Sequence, residues 1–314
     1  MPDILYKLDA LQSPSDPRDY QAENIFPADL SLPKVFDPRK NLLGIRNQGV
    51  QGSCVAESIA CLKEIQEKKN INFEDYMSPQ FIYNNRMNQD GQGMYPRDSV
   101  AIVYKRGIVP EEEYPYGKIE KPEQIAKDVL DKALNYRAKG YAFVNTIETM
   151  KAAIFRSGAC CFTCSVYNSG NQMWKPSKVG EVAYGGHSMC AVGWTEEGFI
   201  IRNSWGDQWG DKGYTIFPYS DWGMHGEVWT LIDDESSKPD PKYSKWYWKT
   251  WRAVKNTVKN MKVKLIFPTL IFAASIYIGV TEYAWAFVVT GLIPVGVAVY
   301  SAYKKLYLPK DEPQ

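Results

Sequence analysis

The period of the apolar pattern changes part-way along the chain, and that change restricts the fold more than any other feature. Up to about residue 135 the signals are helical. Gly49, Gly52 and Ser53 predict a turn and a cap, after which VAESIACLKEIQEKK places Ile59, Leu62 and Ile65 on one face. SPQFIYNNRM and DSVAIVYKRG continue the helical pattern, the latter ending at Gly107. Beyond this point the apolar segments are short and bounded by glycine: ACCFTCSVY, HSMCAVGW, GFIIRNSWG and GYTIFPY read as strands. One helical stretch, IETMKAAIFRSG, precedes the first of them. Helices first and strands second predict an α+β fold in two lobes, not a doubly wound sheet. The boundaries are a domain over 31–235, with a helical lobe to about 135 and a β lobe from about 136. Residues 1–30, polar and rich in Pro and Asp, read as an extended arm or a short pro-segment.

The C-terminal region has a different character. DDESSKPDP is a linker by composition, and residues 236–262 read as linker plus basic amphipathic helix. Tyr247, Trp251, Val254, Val258 and Met261 fall on one stripe, while eight basic residues and no acidic one lie between Lys242 and Lys264. A basic face opposite a Trp-rich face suits an anionic membrane surface. Leu265 to Val280 and Tyr283 to Tyr303 carry no charge, and Thr281, Glu282 and Tyr283 leave room only for a tight turn. We read 263–303 as a transmembrane helical hairpin followed by a tail at 304–314. Lys262 and Lys264 before it, with Lys304, Lys305 and Lys310 after it, place both ends on the cytoplasmic side. The expected location is membrane-anchored with the folded body in the cytoplasm. The competing readings are a surface helix docked on the domain and a buried hairpin in a soluble core.

The formal charge of +1 gives no drive toward a polyanion, so no nucleic-acid partner is expected. Six cysteines are too few for a disulfide scaffold, and five lie in apolar runs where reduced, buried thiols are usual. Cys161 and Cys164 form a C-x-x-C within an apolar strand, with no second ligand pair near them, so no metal and no cofactor are expected. The charge runs Glu67-Lys68-Lys69 and Glu111-Glu112-Glu113 read as solvated surface.

Chemistry points to Cys54. A thiol is a good nucleophile only as thiolate, which a helix N-terminus and a nearby imidazolium favour. Cys54 stands where a Gly-rich loop becomes a helix. Of the two histidines, His187 in YGGHSMCAVGW is held between a glycine pair and an apolar strand, whereas His225 in WGMHGE reads as a polar turn. His187 is the better base. Asn203, at the end of a strand, is the candidate to orient it, and Gln48 could aim its amide at a developing oxyanion beside the Cys54 N–H.

NQGVQGSC (47–54), GGHSMCAVGW (185–194) and RNSWGDQWGDKGY (202–214) resemble the three signature blocks of the papain family of cysteine peptidases. His187 follows Cys54 by 133 residues and Asn203 follows it by 149, spacings usual in that family. LPKVFDPR, SPQFIYNNRM and RDSVAIVYKRGIVPEEEYPY are similar to its bacterial and viral branch, so the resemblance spans roughly 30–232. It implies a two-lobed papain-like fold with a cleft between the lobes. It also implies that Gln48 serves the oxyanion hole, Cys54 is the nucleophile, His187 the acid/base and Asn203 the orienting residue. Trp205 resembles the indole that shields the His–Asn bond. Gly93 in DGQGMYPRD resembles the glycine whose backbone pairs with substrate. Peptide or protein substrates are the implied partners, hydrolysed through an acyl-thioenzyme.

This sequence departs from the pattern in three ways. Gln51 stands where a disulfide cysteine is common, Val55 where an aromatic residue is common, and a long helical inhibitory pro-segment is missing. Two alternative functions stay open at this level. One is a transamidase or isopeptidase of the same fold; the other is a membrane-anchored, non-catalytic binding protein.

Overall fold

The computed structural model describes residues 6–26 and 31–233. The expected linker, basic amphipathic helix, hairpin and tail of 236–314 lie outside the described residues. Among the described residues no helix is long and apolar enough to cross a membrane.

Helix α1 (Cys54–Ile71) forms the centre of the helical part, with α2 (Pro79–Asn84) and α3 (Pro96–Arg106) against it, and α4 (Lys127–Ala133) joins α2 in a smaller core of Phe81, Val129 and Ala133. Local chemistry accounts for the ends. Ser78 accepts the Phe81 N–H and Pro79 opens α2, while α1 stops at Asn72, whose φ of 55° is left-handed. The expected one-faced burial of α1 does not hold: every residue from Cys54 to Glu64 is buried. α1 packs on helices at one side and on strand β3 at another, so no face is left for water. Glu67, read as surface, is fully buried because Lys63, one turn earlier and equally buried, pairs with it at 2.5 Å. Glu111 is likewise drawn into an ion pair with Arg46 instead of facing solvent, and Glu113 pairs with Lys132 at 2.8 Å.

From Ala138 onward the structure is an antiparallel sheet. Its strands are β1 (Ala138–Phe143), β2 (Cys160–Val166), β3 (Gly185–Trp194), β4 (Gly198–Arg202), β5 (Tyr214–Pro218) and β6 (His225–Asp233), in spatial order β1-β6-β2-β3-β4-β5. Helix α5 (Ile147–Ser157), capped by Thr146, packs on one side of the sheet and α1 on the other. That double cover explains why β2 reads as an unbroken apolar run. Cys161 joins the core shared with α1, whereas Cys160, Phe162 and Cys164 join the core shared with α5. All six cysteines are buried and free, and no cluster of metal-ligating side chains occurs among the described residues. The reading of His225 as a turn is corrected: it opens β6, pairing in register with Cys164.

Candidate active site

The sheet supplies one wall. His187 is the third residue of β3, where the ladder to β2 sets it opposite Cys164. Its Nε2 lies 2.7 Å from Asn203 Oδ1. That same oxygen accepts the Ser204 N–H at 2.8 Å, which identifies it as the acceptor of the amide. Nε2 therefore carries the ring proton and Nδ1 is left as a bare lone pair, buried and without a hydrogen-bond partner. Trp205 stacks on the imidazole with centroids 4.5 Å apart, and Tyr6 stacks on Trp205 at 4.7 Å with planes 5° apart.

The other wall is the loop that becomes α1. Cys54 is the first helical residue, and Ser58 Oγ, one turn on, donates to the Met189 carbonyl at 2.7 Å, tying α1 to β3. The backbone of Ser188 and of Asp9 lies close enough to the Cys54 sulfur to favour its thiolate, against the larger effect of burial. Gln48 is fixed from the opposite side: its N–H donates to the Ser204 carbonyl at 2.9 Å, and its Oε1 accepts from Ser204 Oγ at 2.7 Å. With the oxygen engaged, Gln48 Nε2 is the end left to donate, and it reaches the carbonyls of Gln51 at 3.1 Å and Lys7 at 3.3 Å.

Lys7 belongs to the N-terminal arm, which runs through the cleft. The Ala10 N–H donates to Gly186 O at 3.0 Å; the Met94 N–H donates to Asp9 O at 2.9 Å; the Leu11 N–H donates to Met94 O at 3.0 Å. Glycine makes this approach feasible, since a Cβ on Gly186 would stand 2.1 Å from the Ala10 carbonyl oxygen and one on Gly93 would stand 2.8 Å from Leu11. Farther on, Arg97 holds Asp16 at 2.6 Å and Asp19 at 2.7 Å, and Phe143 N–H donates to Tyr20 O at 2.8 Å. On the helical side the backbone that pairs with the arm is that of Met94, while Gly93, one residue earlier, contributes by having no side chain.

Burial by the arm has an electrostatic consequence. Removal from water pushes the Cys54 thiol up to about 12 and the His187 imidazole down to about 4, so both are neutral near pH 7. The preformed thiolate–imidazolium pair expected from the sequence is therefore not the state of this covered site. Asp9, facing Cys54, adds its own charge to the effect.

Residues 32–226 match the family described as papain family cysteine protease. The chain belongs to the papain family. A peptidase C1-like protein of Acanthamoeba polyphaga mimivirus is 30% identical over 230 residues, covering 63% of this chain and 74% of the viral one. Mouse cathepsin K is 27% identical over 232 residues, 68% of each chain. Among solved structures, xylellain, a cysteine protease from Xylella fastidiosa, superposes with a TM-score of 0.62 at 25% identity, covering 72% of this chain and 96% of that one. Papain-family membership makes the protein a thiol-dependent peptidase with the α+β architecture expected from the sequence. Within that frame, Ser204 and Tyr6 are site residues that sequence reasoning missed. Ser204 reaches Gln48 across 156 positions, and no local pattern announces a bond of that span.

Proposed function

We propose that Cys54, His187, Asn203 and Gln48 hydrolyse peptide bonds by way of an acyl-thioenzyme. The observation that carries this assignment is the 2.7 Å contact from His187 Nε2 to Asn203 Oδ1, which leaves Nδ1 as the basic nitrogen. With the arm displaced and water admitted, Nδ1 takes the thiol proton and the sulfur attacks the scissile carbonyl carbon. The oxyanion accepts from Gln48 Nε2 and the Cys54 N–H, both charge-stabilising at the helix N-terminus. Collapse breaks the C–N bond as His187 returns its proton to the leaving amine. Water then attacks the thioester carbon, giving a proton to Nδ1; collapse breaks the C–S bond and releases the carboxylic acid, and Nδ1 returns its proton to the sulfur. Trp205 keeps solvent from the His–Asn bond, and the backbone of Met94, which accepts and donates to the arm, is the edge on which a substrate chain would pair. In this reading the arm and a substrate compete for one groove, so the full chain is slow until the arm leaves.

Cys54→Ala tests the assignment. Peptide turnover is expected to vanish with the unfolding midpoint retained, and a variant that still cleaves would remove Cys54 from the mechanism. Placement at a membrane, with the catalytic domain facing the cytoplasm, rests on the uncharged runs and flanking lysines of 262–310. Fractionation with external protease digestion checks it: recovery in the soluble fraction would exclude the anchor.

A further inference from the structure

The loop from Gln48 to Ser53 has no secondary structure of its own, yet it carries the oxyanion side chain and ends at the nucleophile. One side chain holds both ends of it. Tyr116 Oη lies 2.9 Å from the Gln48 carbonyl oxygen and 2.6 Å from Ser53 Oγ. The phenol has a single proton, and a carbonyl can only accept, so Tyr116 donates to Gln48 and Ser53 donates to Tyr116. Burial pushes the phenol up, well above its ordinary value, so this donor is present at any working pH. Ser53 occupies the N-cap position of α1 but makes no side-chain cap bond, and its hydroxyl is turned to Tyr116 instead. A second tie reinforces the first: Gln51 Nε2 donates to Gln80 Oε1 at 3.1 Å, and that oxygen also accepts the N–H of Gly117, next to Tyr116.

We propose that Tyr116 is a positioning residue for the oxyanion hole, acting through Gln48. Gln48 is held at its N–H and Oε1 by Ser204 and at its C=O by Tyr116, so the direction of Nε2 is set by two clamps from different parts of the chain. In a family where a disulfide often pins this loop, Gln51 stands in the cysteine's place, and the hydroxyl of Tyr116 supplies the restraint. This inference rests on the catalytic roles proposed above for Gln48 and Cys54.

The test is Tyr116→Phe in the full chain, which deletes one oxygen, assayed with a chromogenic peptide alongside the wild type, Gln48→Ala and the double variant. The expected result is about a tenfold fall in kcat with KM within about twofold, since the oxyanion develops only after substrate is bound, on the way to the tetrahedral intermediate. In the Gln48→Ala background the same change is expected to cost less than about twofold, because the amide it positions is gone. Undiminished kcat in Tyr116→Phe, or an equal tenfold loss in both backgrounds, overturns the clamp and leaves the peptidase roles intact. Unfolding midpoints are read in parallel; if Tyr116→Phe does not fold, Ser53→Ala, which removes the other bond of the Tyr116 hydroxyl and leaves the one to Gln48, is expected to give a smaller fall in kcat that disappears in the Gln48→Ala background, and no fall, or an equal fall in both backgrounds, overturns the clamp. A wild type that neither cleaves the peptide nor alkylates at Cys54 with iodoacetamide overturns the catalytic reading and the clamp with it.

Discussion

The two walls of the cleft are held by different physics. His187 sits on β3, whose backbone is bonded to β2 along its first seven residues and to β4 beyond, so its position follows from a ladder. Gln48 and Cys54 sit where an irregular loop meets a helix, and the loop is held by side chains from Ser204, Tyr116 and Gln80. A ladder is repetitive and tolerant, because losing one bond leaves its neighbours. A loop restrained by a handful of individual bonds has less redundancy. The wall that carries Cys54 is therefore the one that a single distant substitution can misalign.

The walls also titrate in opposite senses, which offers the largest effect by which to separate them. Glu57, one turn below Cys54 and paired with Arg46 at 3.7 Å, is pushed up to about 7 by burial, whereas burial pushes His187 down to about 4. For Glu57 the folded state holds its proton more tightly than the unfolded chain, so its contribution is present below the ordinary carboxylate range and is lost as pH rises toward 7. For His187 the folded state prefers the neutral ring, so its contribution is present above the ordinary imidazole value and is lost as pH falls toward 4. Glu57→Gln is expected to gain on the wild type by up to about 3 kcal/mol between pH 4.5 and 7 in denaturant unfolding. A stability difference that stays constant across that range would show that Glu57 does not titrate as its burial requires.

Next in size is the arm, which covers both walls. Ala10→Pro removes the N–H that bonds Gly186, and alkylation of Cys54 by iodoacetamide at pH 7 is expected to quicken about tenfold. With the thiol pushed up to about 12, alkylation of the wild type should climb about tenfold per pH unit between 6 and 9, while the loosened variant levels off at lower pH. Equal rates and parallel profiles would mean that the arm does not govern the thiol. The smallest expected effect isolates one clamp. Ser204→Ala leaves the Ser204 N–H on Asn203 but frees Gln48 Oε1, and kcat should fall a few-fold with KM little changed. An unchanged kcat would mean that the loop needs no help from the β lobe.

This contrast also explains what could be read in advance. β2, β3, β4 and β5 announce themselves by glycine boundaries and apolar runs, and α1 by its loop and cap, because those signals are local. Strands β1 and β6 were not anticipated. AKGYAF is interrupted by Lys139 and Gly140, and HGEVWTLID begins with polar residues that mimic a turn, so both depend on pairing with each other. The burial of Glu67 runs against its reading as surface for the same reason: charge alone argues for solvent, and only the enclosed position of α1, with Lys63 as its partner, reverses it. At the site, Gln48, Cys54, His187 and Asn203 stand in compact motifs and could be named. Ser204 and Tyr116 act by bonds to residues scores of positions away, as does the arm, and such bonds leave no periodic trace.

The arm is part of the same molecule as the groove it fills, and that tether has a quantitative meaning. A covalently attached segment presents itself at an effective concentration on the order of millimolar, whatever the dilution of the protein. A free peptide in the micromolar range is thus outnumbered at the groove by a competitor that never diffuses away. On the proposed reading, turnover measured under such conditions reports how often residues 7–11 lift off, and the bond-breaking step shows itself only once that departure has been made easy.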